Sequence, residues 1–195
     1  MKKRILGIDP ALTKLGYAVL EIDIDENTQK ITDVRHIAYS EFRTKMSKRY
    51  DDRLSQIFRY TQKIINDFEI DEVAMENSFH NPRFGGGGTS VREAIGVAKA
   101  AIQLSHKDIP IHIYPPHVIK KAATNNTKAD KLEVATEICN TLGIKKFILE
   151  RTVRNKVVVE EFTVKELIKS DKDHVTDALS AAYTRIIKMQ EEEVA

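Results

Sequence analysis

An aspartate stands at the end of the first apolar run of this chain. Ile5-Leu6-Gly7-Ile8 is short, branched and apolar, the pattern of a buried strand. Asp9 closes it, Pro10 to Gly16 supplies a turn, and Tyr17-Ala18-Val19-Leu20 opens a partner strand. An ionised carboxylate at the edge of an apolar strand is costly unless it is paired or holds a cation. Asp9 therefore asks for a metal or a hydrogen-bonding network, or else serves only as the cap of its turn.

The rest of the chain alternates strand-like and helix-like segments. Strands are expected over residues 4 to 9, 16 to 23 and about 30 to 39, with Asp25-Glu26-Asn27 turning between the last two, which predicts an antiparallel meander. Leu54, Ile57, Phe58, Ile64, Ile65 and Phe68 are spaced for one buried face of a helix over residues 48 to 68. A strand at 72 to 76, a helix at 89 to 105 after four glycines (Gly85 to Gly88), and a strand at 109 to 114 follow. Pro115-Pro116 opens a short helix, and further helices are expected at 128 to 142, ending at Gly143, and at 172 to 190. Residues 144 to 170 alternate charged and β-branched residues around Arg154-Asn155-Lys156, as in an added hairpin. Strands alternating with helices argue an α/β sheet, and a length of 195 residues with 42% hydrophobic residues suits one domain carrying that insertion.

Two further acidic positions join Asp9. Glu76 ends a strand as Asp9 does, and if the two strands pair, both carboxylates project from the same end of the sheet. Asp173-His174-Val175-Thr176-Asp177-Ala178-Leu179 starts the last helix, with His174 and Asp177 three apart on one face. Ala178, Leu179, Ala181, Ala182 and Ile186 give that helix an apolar side to lay on the sheet. Hard oxygen ligands gathered there suit Mg²⁺ or Mn²⁺. Taken singly, Glu76 also fits a solvated surface acid, and Asp173 and Asp177 fit a helix cap or a partner of the helix dipole.

The order of these motifs resembles the RuvC-type Holliday junction resolvases. The matching residues are Gly7-Ile8-Asp9-Pro10 with Thr13 and Gly16-Tyr17, then Ala74-Met75-Glu76 with Phe79, then the stretch from Asp173 to Leu179. The resemblance covers most of residues 4 to 143 and 172 to 190. It implies a ribonuclease H-like fold, a mixed five-stranded sheet of an antiparallel meander plus parallel strands flanked by helices, forming a single nuclease domain over 1 to 195. It implies that Asp9, Glu76, His174 and Asp177 form the metal-binding catalytic site, with Asp173 a neighbour outside it. Two Mg²⁺ ions per site, for which Mn²⁺ substitutes, would activate water and stabilise the departing 3′ oxygen in an in-line attack, leaving 5′-phosphate and 3′-hydroxyl ends. His174 either ligates a metal or positions water.

Substrate contacts are implied as well. Phe79 corresponds to the family's aromatic that stacks on a base near the junction centre, in polar company (Asn77, Ser78, His80, Asn81, Arg83) that suits a core phenylalanine poorly. Lys120 and Lys131 fall at the family's phosphate-contacting lysines, reinforced by Lys121, Lys128 and Arg83. The glycines at 85 to 88 fit a loop whose bare backbone approaches a phosphate, or a plain linker. The family acts as a homodimer on four-way DNA junctions in recombination and repair, alongside branch-migration proteins. The apolar residues Ala94, Ile95, Val97, Ala98, Ala101 and Ile102 make the helix at 89 to 105 the candidate dimer face, its alternative being packing within the chain.

This chain departs from the family in the longer segment 144 to 170 and in Asn125 and Thr127, which replace glycines expected before Lys131. These changes bear on substrate handling more than on catalysis, so Y-junctions and flaps stand beside four-way junctions as substrates, as in a divergent or phage-encoded member. A net charge of +2, from 31 basic and 29 acidic residues, does not itself announce a polyanion partner. There is no apolar stretch of transmembrane length, and Met1-Lys2-Lys3-Arg4 leads into a strand too short for a secretory signal, which predicts a cytoplasmic protein of a bacterial cell or a phage-infected host, with no membrane partner. The single cysteine, Cys139, excludes an internal disulfide and belongs in a helix core. An actin-like or sugar-kinase-type phosphotransferase would use a similar Asp9 turn but needs a second lobe that this length cannot house. A non-catalytic junction-binding protein would keep the lysines and lose the acids.

Overall fold

The structure, a computed structural model, describes residues 1–77, 87–105, 108–153 and 156–192. Its centre is β1 (Lys2–Pro10), which pairs antiparallel with β2 (Lys14–Ile24) on one side and parallel with β4 (Glu72–Glu76) on the other. Beyond β2 lies antiparallel β3 (Ile31–Arg43), and beyond β4 lies parallel β5 (Ile111–Tyr114), giving the order β3-β2-β1-β4-β5. The expected meander and mixed sheet are therefore present. The β2–β3 turn forms because the Asp25 carboxylate accepts the backbone N–H groups of Asn27 and Thr28 at 2.9 and 2.8 Å.

Side chains alternate across a strand, so β1 feeds two cores. Leu6 and Ile8 face α1 (Tyr50–Phe68) and α2 (Gly87–Gln103), packing with Ile57, Ile64, Ala98 and Ile102. Ile5 faces α6 (His174–Glu192), with Leu20, Ala178, Leu179 and Ile186. Burial on both faces explains why the opening strand reads as a continuous apolar run. α3 (Pro116–Thr124) and α4 (Lys131–Thr141) flank α6, and Cys139 lies in this core, where burial pushes its thiol up to about 12.

Several boundaries differ from expectation. α4 begins at Lys131 because Asp130 and Glu133 form a reciprocal capping box, with the Asp130 side chain accepting from Glu133 N at 2.8 Å. α2 begins two residues early, so Gly87 and Gly88 belong to its first turn, while Gly85 and Gly86 lie outside the described residues. The stretch 144 to 170 contains the expected hairpin, β6 (Phe147–Val153) with β7 (Lys156–Phe162), followed by an unexpected short helix, α5 (Val164–Lys169), capped by Thr163 and Glu166. Phe147, Leu149 and Leu167 of this stretch are buried in the α6-side core.

The apolar stripe of α2 needs correction as a dimer face. Ala94, Ala98 and Ile102 are fully buried against the chain's own sheet and α1 and Ala101 is buried as well, leaving only Ile95 and Val97 of the six partly accessible. A small-residue stripe packs equally well inside or between chains, so sequence alone could not assign it. No helix among the described residues is long and apolar enough to cross a membrane.

Candidate active site

The site forms where three distant segments meet at one end of the sheet. Ile8 pairs with Met75, so the next residues along the two parallel strands, Asp9 and Glu76, leave β1 and β4 side by side. The turn after Asp9 is held from below. Arg53 of α1 is buried and donates through Nε to Thr44 Oγ1 at 3.0 Å, and that hydroxyl donates to the Leu12 carbonyl at 2.8 Å.

α6 brings the third segment, and two glycines let it come close. A Cβ on Gly7 would lie 1.8 Å from the Ala178 carbonyl oxygen, and one on Gly16 would lie 2.2 Å from that of His174. The helix backbone thus rests on the bare strand backbone, which sets His174 and Asp177 directly at Asp9. His174 Nδ1 hydrogen-bonds Asp9 Oδ2, and one ligand atom from each of Asp9, His174 and Asp177 falls within a 4.8 Å cluster. The side chains of Asp9 and His174 are each 25% exposed, enough for solvent or an ion to reach them while charge remains poorly solvated.

The electrostatics record crowding of negative charge. Burial first, then Asp177 and Asp9, push Glu76 up to about 7. Burial and the neighbouring Asp9 push Asp177 up to about 6. The hydrogen bond to Asp9 leads the causes that raise His174, favouring its protonated form. Carboxylates gathered this closely cannot all ionise without a cation among them. The cation supplied by the chain is Lys131, whose Nζ lies 2.6 Å from Asp173 Oδ2 and 2.7 Å from Asp177 Oδ2. Lys131, expected at a DNA phosphate, thus sits inside the acid cluster, and Asp173, expected outside the site, is its second partner. The donor set of carboxylates and one imidazole, with Glu76 and Asp177 raised mainly by burial, fits a divalent cation.

The family model described as crossover junction endodeoxyribonuclease RuvC matches residues 5–153. The chain belongs to the RuvC family. Among relatives bearing the same description, that of Finegoldia magna is 31% identical over 67% of this chain and 74% of its own length. That of Nitratiruptor sp. is 30% identical over 80% of this chain and 91% of its own. In fold, the chain is similar to Thermus thermophilus RuvC (TM-score 0.71, 22% identity, 97% of this chain and 96% of the other). It is equally similar to the Thermus protein in complex with Holliday junction substrate (TM-score 0.72, 22% identity, 98% and 97% covered). The sheet order and flanking helices are those of the ribonuclease H-like fold of RuvC.

The family match ends before α6, so His174 and Asp177 join Asp9 and Glu76 on geometry rather than on that match. Of the remaining RuvC-type positions, Lys120 on α3 borders the same cleft as Glu76, Lys131 and Asp177, and its charge acts on Glu76. Lys121 and Lys128 are exposed on α3 and on the loop after it. Phe79 and Arg83 lie outside the described residues.

Proposed function

We propose that this RuvC-family chain is a divalent-metal-dependent endonuclease that resolves Holliday junctions in DNA recombination and repair. The observation that carries this reading is the gathering of Asp9, His174 and Asp177 within 4.8 Å at one end of the sheet, with Glu76 beside them, close enough to feel the charge of both aspartates. In this reading these four residues hold two ions, Mg²⁺ or Mn²⁺ in its place. Ions bound there would supply Lewis acidity, activating water and neutralising charge at the leaving oxygen.

The chain's own residues do the rest. Asp9 fixes the ring of His174 through Nδ1, leaving Nε2 to face an ion or a water. Lys131 balances Asp177 and Asp173 before substrate arrives, and its ammonium is then available to a non-bridging phosphate oxygen. Lys120 stands across the same cleft as a second phosphate contact, and Lys121 and Lys128 extend the basic edge. The net reaction adds water across the P–O3′ bond and leaves a 5′-phosphate and a 3′-hydroxyl. A four-way junction is two-fold symmetric, so two sites on a symmetric homodimer would nick opposed strands as a pair. Branch-migration proteins are the expected co-workers.

End-labelled four-way, three-way and linear DNA incubated with Mg²⁺, with Mn²⁺ and with EDTA test the reading. Metal-dependent nicking of the four-way junction with linear duplex intact is expected. Equal cutting of all three substrates would replace it with a nuclease of broader selectivity, and no cutting of any would remove it.

A further inference from the structure

A second set of buried charges lies at the opposite end of β4. Arg185 Nε, on α6, donates to Glu72 Oε2 at 2.7 Å, and the two residues are only 8% and 5% exposed. Glu72 Oε1 also accepts from Lys3 Nζ at 3.1 Å, and His112 Nε2 lies 3.0 Å from Glu72 Oε2. Arg185 Nη1 donates to the Glu192 carboxylate at 3.0 and 3.1 Å. Burying such a pair is an expensive way to hold a helix on a sheet, since apolar residues of equal volume do it as well or better. An ion pair adds direction, because it is satisfied at one relative position of its two elements.

The spacing shows what that position controls. From Glu72 to Glu76 the strand advances four residues, about 13 Å. From Arg185 back to Asp177 the helix advances eight residues, about 12 Å. Seating Arg185 on Glu72 therefore brings Asp177 to the level of Glu76, and those two residues border one cleft. Between these ends, α6 lies on β1 and β2 by close backbone approach at Gly7 and Gly16 and by the packing of Leu179 and Ile186 with Ile5 and Leu20. Apolar packing sets how closely the helix lies, and the ion pair adds a polar contact that is satisfied at one axial position. A slip of one residue along the helix axis is about 1.5 Å, enough to spoil a set of metal ligands.

We propose that Arg185 and Glu72 are positioning residues for the nuclease site, their ion pair setting the axial register of α6 and with it the spacing of His174 and Asp177 from Asp9 and Glu76. The proposal rests on the reading of those four residues as a metal site. It is tested with the Glu72→Gln/Arg185→Gln double variant, which leaves no unpaired buried charge between the two positions. Mn²⁺ binding to the DNA-free protein is measured by calorimetry, together with single-turnover cleavage of a four-way junction, junction affinity in EDTA, and Tm. At a temperature well below Tm, Mn²⁺ affinity is expected to fall about tenfold and the cleavage rate about 10- to 100-fold, with junction affinity unchanged. A folded double variant with wild-type Mn²⁺ affinity and rate would overturn the proposal, whether or not its Tm falls. Should that variant fold poorly, Glu72→Gln decides with the same readouts. The amide keeps the volume of the carboxylate and removes the ion pair with Arg185, which retains Glu192, so a several-fold loss of Mn²⁺ affinity is expected and wild-type values overturn the proposal. Wild-type protein that cuts no branched DNA would remove the nuclease reading instead, leaving this one to be judged by Mn²⁺ affinity.

Discussion

Substituting Gly16 with alanine tests the approach of α6 to the sheet without touching a titratable group. The new methyl would sit 2.2 Å from the His174 carbonyl oxygen, 2.4 Å from its carbonyl carbon and 2.8 Å from its Cβ. Real Cβ contacts essentially never fall under 3.0 Å, so the first turn of α6 must retreat by about 0.8 Å. His174 is bonded to Asp9 and Asp177 follows one turn later, so the retreat opens the ligand cluster itself. A displacement near 1 Å at a reacting centre costs on the order of 100-fold in rate. Overpacking at so tight an approach adds a stability loss of about 1 to 3 kcal/mol, or a fall in Tm of roughly 2 to 12 °C for a domain of this size. Single-turnover junction cleavage and thermal melting, measured on the same preparation, give both numbers. Gly96→Ala is the control, since nothing lies within 4 Å of a Cβ there and alanine favours a helix. Gly16→Ala with wild-type rate and Tm would refute the close approach; a lowered Tm with wild-type rate would refute its link to the acids.

Glu76, pushed up to about 7 from an ordinary 4.5, keeps its proton in the folded chain across a range where the unfolded chain has lost it. Metal-free stability should therefore fall as pH rises between those values, and raised His174 acts in the same direction, its stabilisation lost as pH passes its folded value. Because bound metal needs ionised carboxylates, the rise in Tm caused by Mg²⁺ should be larger at about pH 8 than at about pH 5.5; melting curves showing the reverse would contradict the site's electrostatics. Lys120→Ala should weaken junction binding and flatten its dependence on log salt by about 1 if the lysine neutralises one phosphate, whereas an unchanged slope would leave Lys120 off the DNA. If the chain works as a homodimer, supercoiled cruciform plasmid should be linearised within one binding event; a one-chain native mass at micromolar concentration with nicked circles as the early product would defeat pairing.

The elements that carry short signals were legible in the sequence. The apolar run into Asp9 and the polar opening of the last helix are each set by neighbours within a few residues, and the structure forms them where expected; the turn expected over Pro10 to Gly16 is tighter, because β1 runs through Pro10 and β2 starts at Lys14, so Gly16 pairs with Asp9 inside the sheet. What escaped depends on contacts between distant segments. Lys131 stands 42 and 46 residues from Asp173 and Asp177, and nothing local marks an ammonium that pairs with acids in the folded chain. Gly7 and Gly16 read as turn and strand residues, although their role is to admit the backbone of α6. The buried pairing of Arg185 with Glu72 likewise has no local mark. Two misses were readable: Asp130 with Glu133, and Thr163 with Glu166, are capping-box spacings that give the starts of α4 and α5.

The most direct test sets wild-type protein beside Asp9→Asn, Glu76→Gln and Asp177→Asn on one end-labelled four-way junction, with cutting measured in Mg²⁺ and binding measured in EDTA. Each substitution removes a carboxylate from the site while keeping Lys120 and Lys131 in the cleft. The account predicts that wild-type protein cuts only with the metal and that all three variants bind the junction with near-wild-type affinity and fail to cut it. Near-wild-type nicking by any two of the three in Mg²⁺ would contradict it.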